Sequence, residues 1–231
     1  ESAELLVEPG LKSEYASVEV KGVTAIESER VQRFFIPEGF LFGGRSTVYT
    51  AANLERRTNR LLQALEGEGY RAVRLVNQSV EIDEATARAD IRMEIDQGPI
   101  YRVRSLKIES STEGAGVASE MDTSQEGVAF TAEWERSYRV KIRNEAYRNG
   151  YPDAKVRMSA EPQERDSREV AMAVTFELLA GERVRLGEVS FRGDPDTSTS
   201  VLYRKLDVDE STWLNPLEVN SGQRELMGLG I

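Results

Sequence analysis

The chain has 231 residues, of which 39% are hydrophobic and 30% charged, and it carries a net charge of −10; that balance belongs to folded domains rather than to a disordered chain. Cysteine and histidine are both absent, which excludes disulfide scaffolds, zinc fingers, thiol nucleophiles and histidine general bases. An acidic surface repels phosphate backbones, so nucleic acid is not an expected partner, and no apolar run approaches the ~20 residues of a membrane-spanning helix.

Residues 1–14 read as a leader or linker, with no signal-peptide pattern at Glu1. The first strand follows, with Tyr15, Val18 and Val20 facing one way in the run that ends at Lys21-Gly22. A helix-compatible stretch comes next, then a glycine- and aromatic-rich loop, Phe34–Thr50. Its Phe34, Phe35, Phe40 and Phe42 form a candidate contact loop or, equally, the cap of a core. Between Ala51 and Gly67, Leu54, Leu61, Leu62 and Leu65 make the apolar stripe of a helix. It ends at Gly69-Tyr70, where glycine can take the left-handed turn that stops a helix. Two strands complete the unit. The first spans Ala72–Ile82, with a turn at Asp83–Ala85; in the second, Ala89, Ile91, Met93 and Ile95 alternate with Asp90, Arg92, Glu94 and Asp96. Gly98-Pro99 closes it.

The same order then repeats. Tyr101, Val103, Leu106 and Ile108 mark an opening strand, with an extra residue in the middle that predicts a β-bulge. After the loose stretch Ser110–Ser119, a helix is predicted from Thr131 to Asn149, its stripe Trp134, Tyr138, Ile142 and Ala146, ending in Gly150-Tyr151. Strands over Ala154–Ala160 and Val170–Leu178 follow, with a turn at Glu164–Ser167 and Gly181-Glu182 as the close. A third start is read in Val184, Leu186, Val189 and Phe191, a helical region Ser198–Leu206, and a second helix after Asn215-Pro216. Each complete unit is therefore β-α-α-β-β in about eighty residues, a fixed-period repeat. The fold class is α+β, each unit a small three-stranded mixed sheet covered by two helices. The expected domains are 15–98, 99–181 and an incomplete 182–231 lacking its last two strands, so the chain is expected to be a piece of a longer protein.

Features that invite chemistry have plainer readings. Glu94 and Asp96 lie on the outward face of a strand, and Asp194-Pro195-Asp196 reads as a turn rather than a cation loop. The arginines of Glu55–Arg57 and Arg139–Arg143 read as solvated helix faces. Trp134 is assigned to a core, and Trp213 falls in a loop without an assigned partner. No cofactor or metal is expected.

The helix ends Gly69-Tyr70 and Gly150-Tyr151, the lead-in Gly98–Val103, the run from Gly181 to Gly193 and the stretch Leu214–Gly230 together resemble the POTRA (polypeptide-transport-associated) domains of outer-membrane β-barrel assembly and translocation proteins, TamA-like and BamA-like. The resemblance implies a non-enzymatic array on the periplasmic side of an outer membrane. It would bind and guide unfolded outer-membrane or secreted polypeptides, or scaffold partner subunits such as lipoproteins or inner-membrane proteins, with membrane attachment through a downstream β-barrel. Binding in such domains is expected by strand addition at a sheet border. In β-α-α-β-β the middle strand lies at that border, which makes Val73–Val80 and Ala154–Ser159 the candidate edges. The candidate residues are Val73, Arg74, Leu75 and Val76, and Ala154, Lys155, Val156, Arg157 and Met158; the charges among them also suit an edge guarded against aggregation. Alternative readings are a POTRA-type scaffold of a division or secretion complex and a carboxylate-dependent enzyme. The repetition of the unit disfavours the first, and the lack of histidine, cysteine and a convergent acidic cluster disfavours the second.

Overall fold

The structure is a computed structural model, and it describes residues 12–36, 48–112, 115, 120–193 and 198–228. Phe40, Phe42 and the turn Asp194–Asp196 lie outside the described residues. The chain divides into two compact units, Glu1–Tyr101 with Asp166–Glu169, and Arg102–Arg165 with Val170–Ile231.

The first unit runs β1 (Glu14–Lys21), α1 (Ser28–Phe35), α2 (Ala51–Gly67), β2 (Arg74–Asp83) and β3 (Arg88–Asp96). Its sheet has the order β1-β3-β2, with β1 parallel and β2 antiparallel to β3. The alternation read in β3 is realised in full: Ala89, Ile91, Met93 and Ile95 are all buried, with charged neighbours on the other face. Helices α1 and α2 supply Val31, Phe35, Leu54, Leu61 and Leu65 to the same core. Tyr15 and Val18 are both buried although three residues apart, because the register against β3 shifts between Tyr15 and Ser17. Phe35 is wholly buried and Phe34 packs partly against the core, so α1 makes core of the two described members of the candidate contact loop.

The second unit contains β4 (Ile100–Ser110), β5 (Glu120–Met121), a 3-10 turn (Thr123–Gln125), α3 (Ala132–Arg148), β6 (Lys155–Arg165) and β7 (Glu169–Leu179), in sheet order β5-β4-β7-β6. Val170, Met172, Val174, Phe176 and Leu178 of β7 are buried, as are Tyr138, Ile142 and Ala146 of α3, with the Tyr138 ring stacked on Phe176. Among the described residues the first helix of the repeat is missing here. The short β5 and the 3-10 turn stand in its place, and they reach the core through aromatic contacts rather than a helical stripe. Trp134 donates its ring N–H to Gln125 at 2.9 Å, and the Tyr138 hydroxyl bonds the Asp122 carboxylate. Hydrogen bonds from the Ser124 hydroxyl and then from Tyr138 hold that carboxyl below its ordinary range.

The later residues form α4 (Thr199–Leu206) and α5 (Pro216–Met227). The strand expected over Val184–Phe191 is not formed. A strand needs a neighbouring ladder, and this segment has one isolated bridge, between Arg185 and Trp213. Val189 instead bonds side chains, its carbonyl accepting from Tyr203 at 2.6 Å and its N–H donating to Glu210 at 3.0 Å.

The ends of the longer helices α2, α3 and α5 follow local chemistry. Thr50 and Thr131 accept the N–H of Asn53 and Trp134, each at 3.0 Å, and Asn215 accepts that of Leu217 at 3.1 Å. At the other end, Gly69 and Gly150 sit at φ 105° and 86°. The Tyr70 N–H reaches back to Leu65 O and the Tyr151 N–H to Ala146 O, both at 3.1 Å, a Schellman closure at both Gly-Tyr steps.

Candidate polypeptide-binding edge

Both predicted edge strands stand at a sheet border: β2 ends the first sheet and β6 the second. They are very different borders. In β2 the residues opposite the buried positions of β3 are Leu75, Gln78, Val80 and Ile82. These side chains point to the helix-covered face, yet Leu75 is 37% and Ile82 45% exposed, and of the whole strand only Val80 is half-buried. The helices therefore do not extend over β2. Among the described residues no strand pairs with the outer edge of β2, which runs beside an uncovered apolar shelf, extended by Val76, which is 54% exposed at the register shift between Leu75 and Asn77.

The other face of β2 is polar. Arg74 pairs with Asp96 at 2.7 Å and Glu81 with Arg92 at 2.8 Å. Both pairs are solvent-exposed, and such pairs contribute little to stability; they tie two of the strand's charges to β3. Asp83 ends the strand, its carboxyl held below the ordinary range by the Thr86 hydroxyl and the Ala85 N–H. Val73 precedes β2 and packs against the core instead of lining the edge.

In β6 the inward residues Val156, Met158 and Ala160 are half-buried against β7, while Lys155, Arg157 and Glu161 point outward. Pro162 removes one N–H and the register shifts between it and Glu164, a break that discourages strand addition. Ala154 lies before the strand and is buried in the core. Of the residues named from the sequence, Arg74, Leu75 and Val76 line the open edge of β2, and Lys155–Met158 lie on the guarded edge of β6. Val73 and Ala154 are packing residues. Val80 closes the candidate edge read from the sequence, and Ile82, two residues further on the same face, extends it.

Two further side chains depart from the sequence reading. Arg57 is not on a solvated face: it bonds the Phe35 carbonyl and lies 5.0 Å from the Tyr15 ring centre, helping to close the first core. Arg139 is half-buried and pairs with Glu135 at 2.6 Å. Glu94 is exposed on the outer face as expected. No group of acidic residues suited to holding a metal ion occurs among the described residues, and no helix there is long and apolar enough to cross a membrane.

Residues 13–98 match the model of the POTRA family, described as a surface antigen variable number repeat. Among solved structures the chain is similar to POTRA3-5 of BamA from Haemophilus influenzae, with 18% identity over 99% of this chain and 90% of that one and a TM-score of 0.54. It is also similar to the N-terminal domain of Omp85 from Thermosynechococcus elongatus, with 19% identity over 97% and 88% of the two chains and a TM-score of 0.37. POTRA1-3 of the periplasmic domain of Omp85 from Anabaena matches with 17% identity over 97% and 87%, TM-score 0.37. Residues 13–98 thus match a POTRA domain, and along its length the chain has the fold seen in POTRA3-5 of BamA.

Proposed function

We propose that this chain is a periplasmic polypeptide-binding scaffold of an outer-membrane protein. It takes up extended segments of outer-membrane or secreted polypeptides for assembly or translocation and catalyses no reaction. The observation that carries the reading is β2, a border strand uncovered on both faces with Leu75, Val76 and Ile82 exposed beside free backbone groups. Main-chain bonds to such an edge accept any extended segment, and the apolar shelf favours one with apolar side chains at alternate positions. That coarse selection suits a scaffold serving many clients. The periplasmic address rests on the POTRA family itself, and partner subunits would engage the faces that clients leave free. A chain with no histidine or cysteine supports binding over catalysis.

Affinity for a fluorescent ten-residue peptide of alternating apolar and polar residues tests this by anisotropy. Ile82→Lys should weaken binding roughly three- to tenfold by placing a charge on the shelf, and Arg157→Glu on β6 should leave it unchanged. Equal losses in both variants, or none in either, would remove β2 as the site.

A further inference from the structure

The corner between each opening segment and the second helix of its repeat occurs three times. Isolated antiparallel bridges join Glu14 to Val48, Arg102 to Ala129 and Arg185 to Trp213. Each ends two residues before an N-cap, at Thr50, Thr131 and Asn215. The last two corners agree atom by atom. Arg102 Nη1 donates to Gly127 O at 2.7 Å and Arg185 Nη1 to Ser211 O at 2.8 Å. Val103 N–H donates to Val128 O, and Leu186 N–H to Thr212 O, both at 2.8 Å. Gly127 and Ser211 share a positive φ, 81° and 66°.

Trp213 is where the third corner departs from the second, standing where the second has Ala129. Its ring centre lies 3.6 Å from the Arg183 guanidinium and 4.3 Å from that of Arg185. On the other side it presses on the helix end of the second domain, since a Cβ placed on Gly150 would fall 2.7 Å from Trp213 Cβ. Backbone bonds lace the same three segments together. Val184 N–H donates to Gly150 O at 2.8 Å and Leu214 N–H to Val184 O at 2.9 Å, and Arg183 Nε donates to Asn149 O at 2.8 Å. One indole thus joins the closing glycine of α3, the connection after β7 and the loop before α5.

We propose that Trp213, held by Arg183 and Arg185 against Gly150, is a mechanical coupling that makes the second domain and the residues from Gly181 onward turn as one body. A free connection of this length would act as a hinge; the coupling removes it, so α3 and α5 keep one relation while the array works. The inference stands on this junction alone and is independent of polypeptide binding at β2.

The absence of cysteine allows spin labels to be placed cleanly at Arg136→Cys on α3 and Met227→Cys on α5, with their separation read by pulsed electron paramagnetic resonance. The otherwise unaltered chain should give a single narrow distance distribution. Trp213→Ala should widen it at least about twofold, and Arg183→Met, which keeps the aliphatic stem but loses the charge, should widen it by less. Amide exchange along β7 should not change in either variant. A distribution already broad before substitution, or one still narrow in both variants, overturns the coupling. So does loss of β7 protection in Trp213→Ala, because Trp213 would then be ordinary core of the second domain.

Discussion

Phe176→Ala should destabilise the second domain by about 3–5 kcal/mol, the range for emptying a buried aromatic site, which is a large part of the 5–15 kcal/mol typical of a whole domain. Phe176 is fully buried on β7, and the rings of Tyr138 and Trp134 lie 5.4 and 6.0 Å from it. The upper half of the range is expected because the walls of the cavity cannot easily collapse. Trp134 is held by Gln125 through its ring N–H and by Phe130 at 5.7 Å, and Tyr138 is held by Asp122 through its hydroxyl. The Gln125 and Asp122 tethers sit on the segment that, among the described residues, stands in place of the first helix, so the loss should spread to the 3-10 turn. Urea unfolding followed by tryptophan fluorescence measures it. A midpoint close to that of the unaltered chain would mean that the aromatic cluster is not the keystone of this domain.

Gly22→Ala should be the most damaging single methyl in the first domain. Gly22 follows β1 at φ 85°, and an added Cβ would lie 1.9 Å from the carbonyl oxygen of Ile95. The left-handed conformation costs a non-glycine residue about 1–2 kcal/mol, and relieving the overlap costs about 1–3 kcal/mol more. Ile95 is buried at the end of β3 and cannot retreat without disturbing the core. A fall in melting temperature of more than about 10 °C is expected for a domain of this size. Gly67→Ala is the control, because no atom lies within 4 Å of the added methyl there; it should be neutral or slightly stabilising. Equal melting temperatures for the two variants would contradict the close approach.

Strands buried on one face were fully legible, since β3 and β7 keep a strict period of two, in β3 between charged neighbours. So were helices α2 and α3, whose stripes are framed by threonine caps and Gly-Tyr ends, and the start of α5 at Asn215-Pro216. What escaped the sequence depends on partners distant along the chain. Val184–Phe191 has the pattern of a strand, but pattern does not supply a ladder, and its backbone turned to Tyr203 and Glu210 instead. Arg57 looked solvated because helix periodicity cannot show that Tyr15 and the Phe35 carbonyl would come to it. Trp213 was unreadable for the same reason, its partners Gly150, Arg183 and Arg185 being assembled only by the fold.

The candidate site was legible in outline and not in quality. The order β-α-α-β-β is enough to put β2 and β6 at borders. It does not tell that the helices leave Ile82 uncovered while Pro162 and the outward charges guard β6. Alternation alone made the two strands equivalent, and side-chain coverage separates them.

Strand addition at β2 is tested most directly by mapping backbone amide shifts as an alternating apolar–polar peptide is titrated into the isotopically labelled chain. The account predicts that the largest shifts and the newly slowed amide exchange fall between Arg74 and Asp83, with smaller shifts across β3 and none along β6. Perturbations confined to β6, or scattered over the helix surfaces with no amide of β2 gaining protection, would contradict it.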